Sequence, residues 1–227
     1  MMTNENTPRR EFLGKLTTGA VAGLAALSSP LLASATTPSD NSMMSEADAW
    51  FNKISGKHRI VFDAPAPHDI LPFAWPRVFL LTNSATGTPE KECGVVVVLR
   101  HDAIGYAFED RLWEKYKLGE VFKANDPATN APATRNPFAK PKPGDFKVPG
   151  VGDVAIGINE LQASGVMFCV CDVAMTVYSA AIAGGQDAAV IKKDWMSGLL
   201  PGIQVVPSGV WAVGRAQEHG CSYCFAG

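Results

Sequence analysis

The run CGVVVVLR, Cys93 to Arg100, constrains this chain more than any other stretch. Its four consecutive valines do not alternate with polar residues. A strand of that kind needs both faces covered, as in the centre of a parallel sheet. Parallel neighbours need long crossover connections, and helices supply them. HRIVFDA (His58 to Ala64) reads as a shorter β-branched strand ended by Pro65 and Pro67, and GVMFCVC (Gly165 to Cys171) as a second buried strand. IQVVP (Ile203 to Pro207) and the segment Cys221 to Phe225 complete the set.

Between these strands the spacing of apolar residues turns helical. Helices are expected over Asp69 to Ser84, with Asp69 as N-cap and Pro72 and Pro76 confining the regular part to the second half. Others are expected over Asp102 to Tyr116, capped by Asp102, and over Val154 to Ser164. The last two are Val173 to Ala183, ended by Gly184 and Gly185, and Gly209 to His219. Residues 119–150 carry Pro127, Pro132, Pro137, Pro141, Pro143 and Pro149 and read as one long loop, whether lid, partner contact or disorder. This succession implies an α/β fold with a mostly parallel central sheet and helices on both faces. In such sheets reactive groups gather at the carboxyl ends of the strands.

Ahead of the first strand, Arg9, Arg10, Phe12, Leu13 and Lys15 resemble a twin-arginine export signal. The following apolar run, Leu16 to Leu32, is short and diluted by glycine and threonine, so a permanent membrane span is not expected. Ala33-Ser34-Ala35 supplies the small-x-small pattern of a cleavage site; the alternative is a short uncleaved anchor. The expectation is a signal peptide over 1–35, a flexible lead-in over 36–56, and a single domain over 57–227. The mature protein is expected in the periplasm or another extracytoplasmic space, without stable membrane insertion. A formal net charge of −2 and no basic cluster exclude nucleic acid and anionic lipid as partners on electrostatic grounds.

The five cysteines carry most of the chemistry. Cys169 and Cys171 form a C-x-C, Cys221 and Cys224 a C-x-x-C, and Cys93 stands alone. Close pairs point to redox, sulfur or metal chemistry, because a short closed loop removes little entropy from the unfolded chain. Cys93 and Cys169 also read as small buried hydrophobes. Cys171 ends one strand directly before a helix, and a helix start favours an anion, hence a thiolate. Asp172 opposes that by charge unless its carboxylate points away. His101 ends the other central strand in the same manner. With the two strands adjacent, Cys171 and His101 form a candidate catalytic thiolate–imidazolium pair.

Cys169 is expected on the same side as Cys171 but deeper, where a bond between the two would close a strained ring. Cys221 and Cys224 fit a disulfide, a resolving pair, or half of a metal site that would recruit Cys169 or Cys171. Phe225 stands where a haem-attachment motif would have histidine. GVGDVAIG (Gly150 to Gly157) fails the dinucleotide-binding glycine pattern, so no nucleotide cofactor is indicated.

The C-terminal third resembles the DsrE/DsrF-like family of sulfur-relay proteins. The resemblance rests on Gly165-Val166 leading to Cys171, Pro201-Gly202-Ile203, Val206-Pro207-Ser208-Gly209-Val210, and Gln217 to Gly220. Val95 to Phe108 is more loosely similar to the family's second strand. The resemblance implies a three-layer α/β/α sandwich, homo-oligomeric assembly, and a persulfide-carrying cysteine at Cys171. Three functions are therefore expected in competition. One is an exported protein exchanging sulfane sulfur with a donor or acceptor protein or a small thiol. Another binds a metal ion or redox cofactor through the two cysteine pairs. The third is a non-catalytic oligomeric binding module.

Overall fold

The computed structural model describes residues 38–227, with side chains from Ser42 onward. Its elements run α1 (Pro38–Phe51), β1 (His58–Ala64), α2 (Leu71–Ala85), β2 (Cys93–Leu99), α3 (Asp110–Tyr116) and α4 (Leu118–Val121). The two-residue strands β3 (Lys147–Val148) and β4 (Gly152–Asp153) follow, then α5 (Ile158–Ala163), β5 (Met167–Cys171), α6 (Asp172–Ala181) and α7 (Ala188–Ser197). The chain ends with β6 (Ile203–Val206), α8 (Gly209–Glu218) and β7 (Ser222–Phe225). The expected signal peptide over 1–35 lies outside the described residues.

Five strands form one parallel sheet in the order β6-β5-β2-β1-β7, and helices cover both of its faces, giving a three-layer α/β/α sandwich. β2 is the central strand, as its valines require, and it is buried throughout. Its side chains alternate between two hydrophobic clusters. Val95, Val97 and Leu99 enter the larger one, with residues of α2, α3, α6 and α7. Val96 and Val98 enter the smaller one, with Ala212 and Ala216 of α8. Residues Ser42–Gly227 form one compact unit.

The lead-in expected to be flexible is instead helical from Pro38, and Ala47, Trp50, Phe51 and Ile54 fill the smaller cluster. The apolar residues recur at helical spacing within a polar stretch, and their burial over the sheet fixes the segment. The helix expected over Asp102 to Tyr116 is broken in two. A 3-10 helix covers His101–Ala107, Phe108 is extended, and α3 starts only at Asp110. Within the first piece Gly105 packs against Phe122 so closely that an added Cβ would lie 2.8 Å from Phe122 Cδ2. Asp69 does not cap α2; it takes a left-handed φ of 50°, and the helix begins at Leu71 without a side-chain cap. The helix α7 was not anticipated, although Asp187 caps it and Ile191 and Trp195, one turn apart, are its buried pair.

The proline-rich insertion is neither a disordered loop nor an independent lid. Phe138 stacks on Phe146 at 4.9 Å and on Phe73 of α2 at 4.3 Å. Asn136, 2% exposed, donates to the carbonyls of Tyr106 and Phe108 at 2.8 and 2.9 Å. The insertion thus completes the larger core while its prolines define the turns between anchors.

Candidate functional site

Successive crossovers β1–β2, β2–β5 and β5–β6 move in one direction across the sheet, and the last connection then returns to place β7 beside β1. Right-handed connections consequently put α6, after β5, on the larger-cluster face and α8, after β6, on the smaller-cluster face. β5 and β6 are hydrogen-bonded neighbours whose chains leave in opposite directions. The crevice between them at the carboxyl rim is the topological switch point of this sheet, the place where open α/β sheets bind ligands.

Cys171 occupies that crevice. It is the N-cap of α6, and its Sγ accepts the amide N–H of Ala174 at 3.3 Å. Only 6% of the residue is exposed, but it borders a cavity of about 230 Å³ together with Arg100, His101, Tyr178, Ser208 and Gly209. Asp172 does not face this space. Its carboxylate is taken by Lys192 Nζ at 2.8 Å, so the expected charge opposition to the thiol is turned aside. The amide of Val173 donates to Pro207 O at 3.2 Å, tying the start of α6 to the end of β6.

β2 and β5 are adjacent, so His101 and Cys171 reach the same rim as the sequence requires. No hydrogen bond joins them. His101 adopts a left-handed φ of 49°, and its Nδ1 sits 3.2 Å from Asp102 Oδ1. The hydrogen bond to Asp102 raises the imidazole above its usual value, against the opposing effects of partial burial and of Arg100. Burial pushes the Asp102 carboxyl up, but hydrogen bonds from His101 and Tyr178 outweigh it and hold the group below the usual carboxylate range. Tyr178 donates to Asp102 Oδ1 and meets the His101 ring edge-on, so one carboxylate orients two side chains on the cavity wall. Tyr178 itself is pushed up, by burial and then by Asp102.

The cation beside the thiol is Arg100, which was not anticipated. Leu99 pairs with Val170 at the end of the β2–β5 ladder, and Arg100 and Cys171 are the next residues of each strand. Arg100 donates from Nε to Asp63 Oδ1 at 2.6 Å and from Nη2 to Oδ2 at 2.9 Å. Asp63, 4% exposed at the end of β1, also accepts from Tyr223 Oη of β7 at 3.0 Å. The Asp63 hydrogen bond raises the guanidinium further above its ordinary value. The side chain lies against α8 where Gly209 has no Cβ; an added one would come 2.8 Å from Arg100 Cδ. Two sequence signals mark this contact: the arginine closing VVVVLR and the glycine of Val-Pro-Ser-Gly.

The other cysteines do not join the site. Cys169 is fully buried in the smaller cluster, whereas Cys171 turns out of the strand to cap α6 and belongs to the larger one; the two are not stacked on one side. Burial pushes the Cys169 thiol up, with a further rise from Cys171. Cys221 and Cys224 lie at β7, three strand spacings, or about 14 Å, from β5. Both are free and on opposite faces of an extended segment, Cys221 in the smaller cluster and Cys224 against the larger, the unpaired one of the arrangements the sequence leaves open. Burial pushes Cys221 up to about 11 despite Arg59. The four candidate metal ligands are likewise spread over the sheet, and among the described residues no group of three or more His, Cys, Asp or Glu side chains is placed to hold a metal ion.

A larger cavity, about 460 Å³, opens at the opposite, amino-terminal rim between Lys53, Lys91, Glu90 and Cys93. Its thiol is pushed up by burial and by Glu90 and Glu92, an environment that disfavours the thiolate although Lys53 and Lys91 line the same cavity. Among the described residues, no helix is long and apolar enough to cross a membrane. Set against known proteins, the chain matches no family, no curated protein and no solved structure.

Proposed function

We propose that this chain is an exported, DsrE-like thiol protein that takes up sulfane sulfur on Cys171 and passes it to an acceptor thiol. The observation that carries the reading is the position of Cys171: a helix-capping sulfur at the switch-point crevice, bordered by a cavity that also holds Arg100 and His101. In the uptake step the Cys171 sulfur attacks the outer sulfur of a donor persulfide R–S–SH. The donor S–S bond breaks as a new one forms, its electron pair leaves on the donor thiolate, and the Cys171 proton ends on that thiolate. The products are Cys171–S–SH and R–SH, with no net oxidation. Release to an acceptor thiol is the same exchange run in the other direction.

The two cations suit this exchange, because sulfur anions form at Cys171 and on the leaving group in each half-reaction. In this reading His101, oriented by Asp102 on the wall of the same cavity, gives and takes the proton. Cys169, buried and pushed up, is not a resolving thiol in this reading, and neither are Cys221 and Cys224 on the far strand. Export rests on the Arg9-Arg10 pattern and the apolar run after it, homo-oligomeric assembly on the family resemblance alone, and both belong to the same proposal. Mass spectrometry of the reduced, folded protein after incubation with a small persulfide donor tests it. An added 32 Da (about one sulfur) on the Cys171 peptide, absent in Cys171→Ser, is the expected result. Unmodified Cys171 overturns it.

A further inference from the structure

The wall of the Cys171 cavity has a one-sided charge. Two of its side chains, Arg100 and His101, are cationic or become so on protonation, and none is acidic. The carboxylates that pair with them stand behind the wall. Asp63 grips the guanidinium through Nε and Nη2 from the end of β1, and Asp102 grips the imidazole; neither borders the cavity. The remaining Nη1 of Arg100 has no partner among the described residues. Around the mouth, Val173, Val177 and Val210 are exposed, Val210 by 72%, and offer a short apolar collar.

We propose that the cavity selects sulfur donors bearing a negative group close to the sulfur, and that Arg100 is the residue that reads that group. The inference rests on sulfur uptake at Cys171 for its biological meaning. The chemical class is a small thiol persulfide with a carboxylate or similar anion a few bonds from the sulfur. The anion lies against Arg100, the intervening carbons against the valines, and the outer sulfur over Cys171. A cavity of about 230 Å³ has room for the sulfur-bearing end and the anion of such a molecule. Gly209 is part of the device, since a side chain there would displace Arg100 from the wall.

Alkylation tests the anion preference without requiring sulfur transfer. Iodoacetate and iodoacetamide react by the same displacement, in which a sulfur–carbon bond forms, iodide leaves and the thiol proton goes to solvent. The two reagents differ in charge. Rates at Cys171 are read by peptide mass spectrometry on the folded protein and on the same chain in urea. The expected iodoacetate-to-iodoacetamide ratio is about three- to tenfold higher in the folded protein, the gain from one cation a few ångströms from the reagent. In Arg100→Gln the ratio falls to the urea value, and in Arg100→Lys most of it survives. In the wild-type protein the preference shrinks as salt rises from about 0.01 M to 1 M, a readout that needs no variant to fold. Equal ratios in folded and unfolded wild-type protein, with iodoacetamide still reacting, overturn the anion preference and leave sulfur uptake standing. A Cys171 that neither reagent reaches in the folded chain overturns both.

Discussion

Arg100 and Cys171 stand side by side on adjacent strands, each one residue past the last ladder pair, Leu99 opposite Val170, and both border the same cavity. Asp63, at the end of the next strand, holds Arg100 from behind through two hydrogen bonds. Three neighbouring strands thus deliver a thiol, a cation and its counter-ion to one rim. Parallel strands in register make this arrangement a consequence of the fold.

Removing the counter-ion should be costly. Asp63→Ala leaves the half-buried Arg100 guanidinium without its bidentate partner, and Tyr223 loses its acceptor. The expected loss is about 3 kcal/mol, at the low end for a buried pair because Arg100 is partly open to solvent. Denaturant unfolding checks this. A loss below about 0.5 kcal/mol would mean that the pair does not hold the rim together.

The imidazole of His101 should titrate above 6.5 in the folded protein, because Asp102 stabilises its charged form. Any contribution this makes to folding is full below 6.5 and disappears as pH rises through the folded-state midpoint. The side chain is mostly exposed, so the effect on stability is small and the midpoint itself is the useful quantity. Proton NMR should show the midpoint falling in Asp102→Asn. An unchanged midpoint would remove Asp102 as the orienting group.

The insertion over 119–150 predicts like a core, not like a lid. Phe138 is fully buried between Phe73, Tyr106 and Phe146. Phe138→Ala should destabilise the protein by about 3–5 kcal/mol, the range for deleting a buried aromatic ring. A loss of less than 1 kcal/mol in urea unfolding would show that the segment packs only loosely.

How much of this was readable in the chain follows the range of the interactions involved. β1 and the central valine strand were legible because their signal is local and both faces are covered; their ends match within one residue. The carboxyl-rim placement of Cys171 and His101 was legible because it needs only strand polarity and adjacency. α1 was misread because its core contacts, Ala47, Trp50 and Phe51, sit in a polar stretch and are satisfied only by a sheet formed later in the chain. Arg100 was missed because its partner Asp63 is 37 residues away in sequence and becomes a neighbour only once β1 and β2 pair. The cysteine pairs looked like one site because sequence does not order strands; the return connection puts β7 beside β1, on the far side of the sheet from β5.

Cys221 and Cys224 supply an internal contrast. Pushed up to about 11, Cys221 should react with iodoacetamide at pH 8 at least about tenfold more slowly in the folded chain than in urea, since few of its thiols are ionised. Peptide mapping should also find no Cys221–Cys224 disulfide in the folded protein under mild oxidation. Finding that bridge in native protein would mean that β7 leaves the sheet.

The central claim is that a single sulfur, Cys171, is the reacting atom. Treating the reduced, folded protein with a small persulfide donor and mapping all five cysteines by mass spectrometry tests it most directly. The account predicts one added sulfur on Cys171, lost on addition of an excess acceptor thiol, and none in Cys171→Ser. Added sulfur on Cys224 or Cys93 with Cys171 untouched would contradict it.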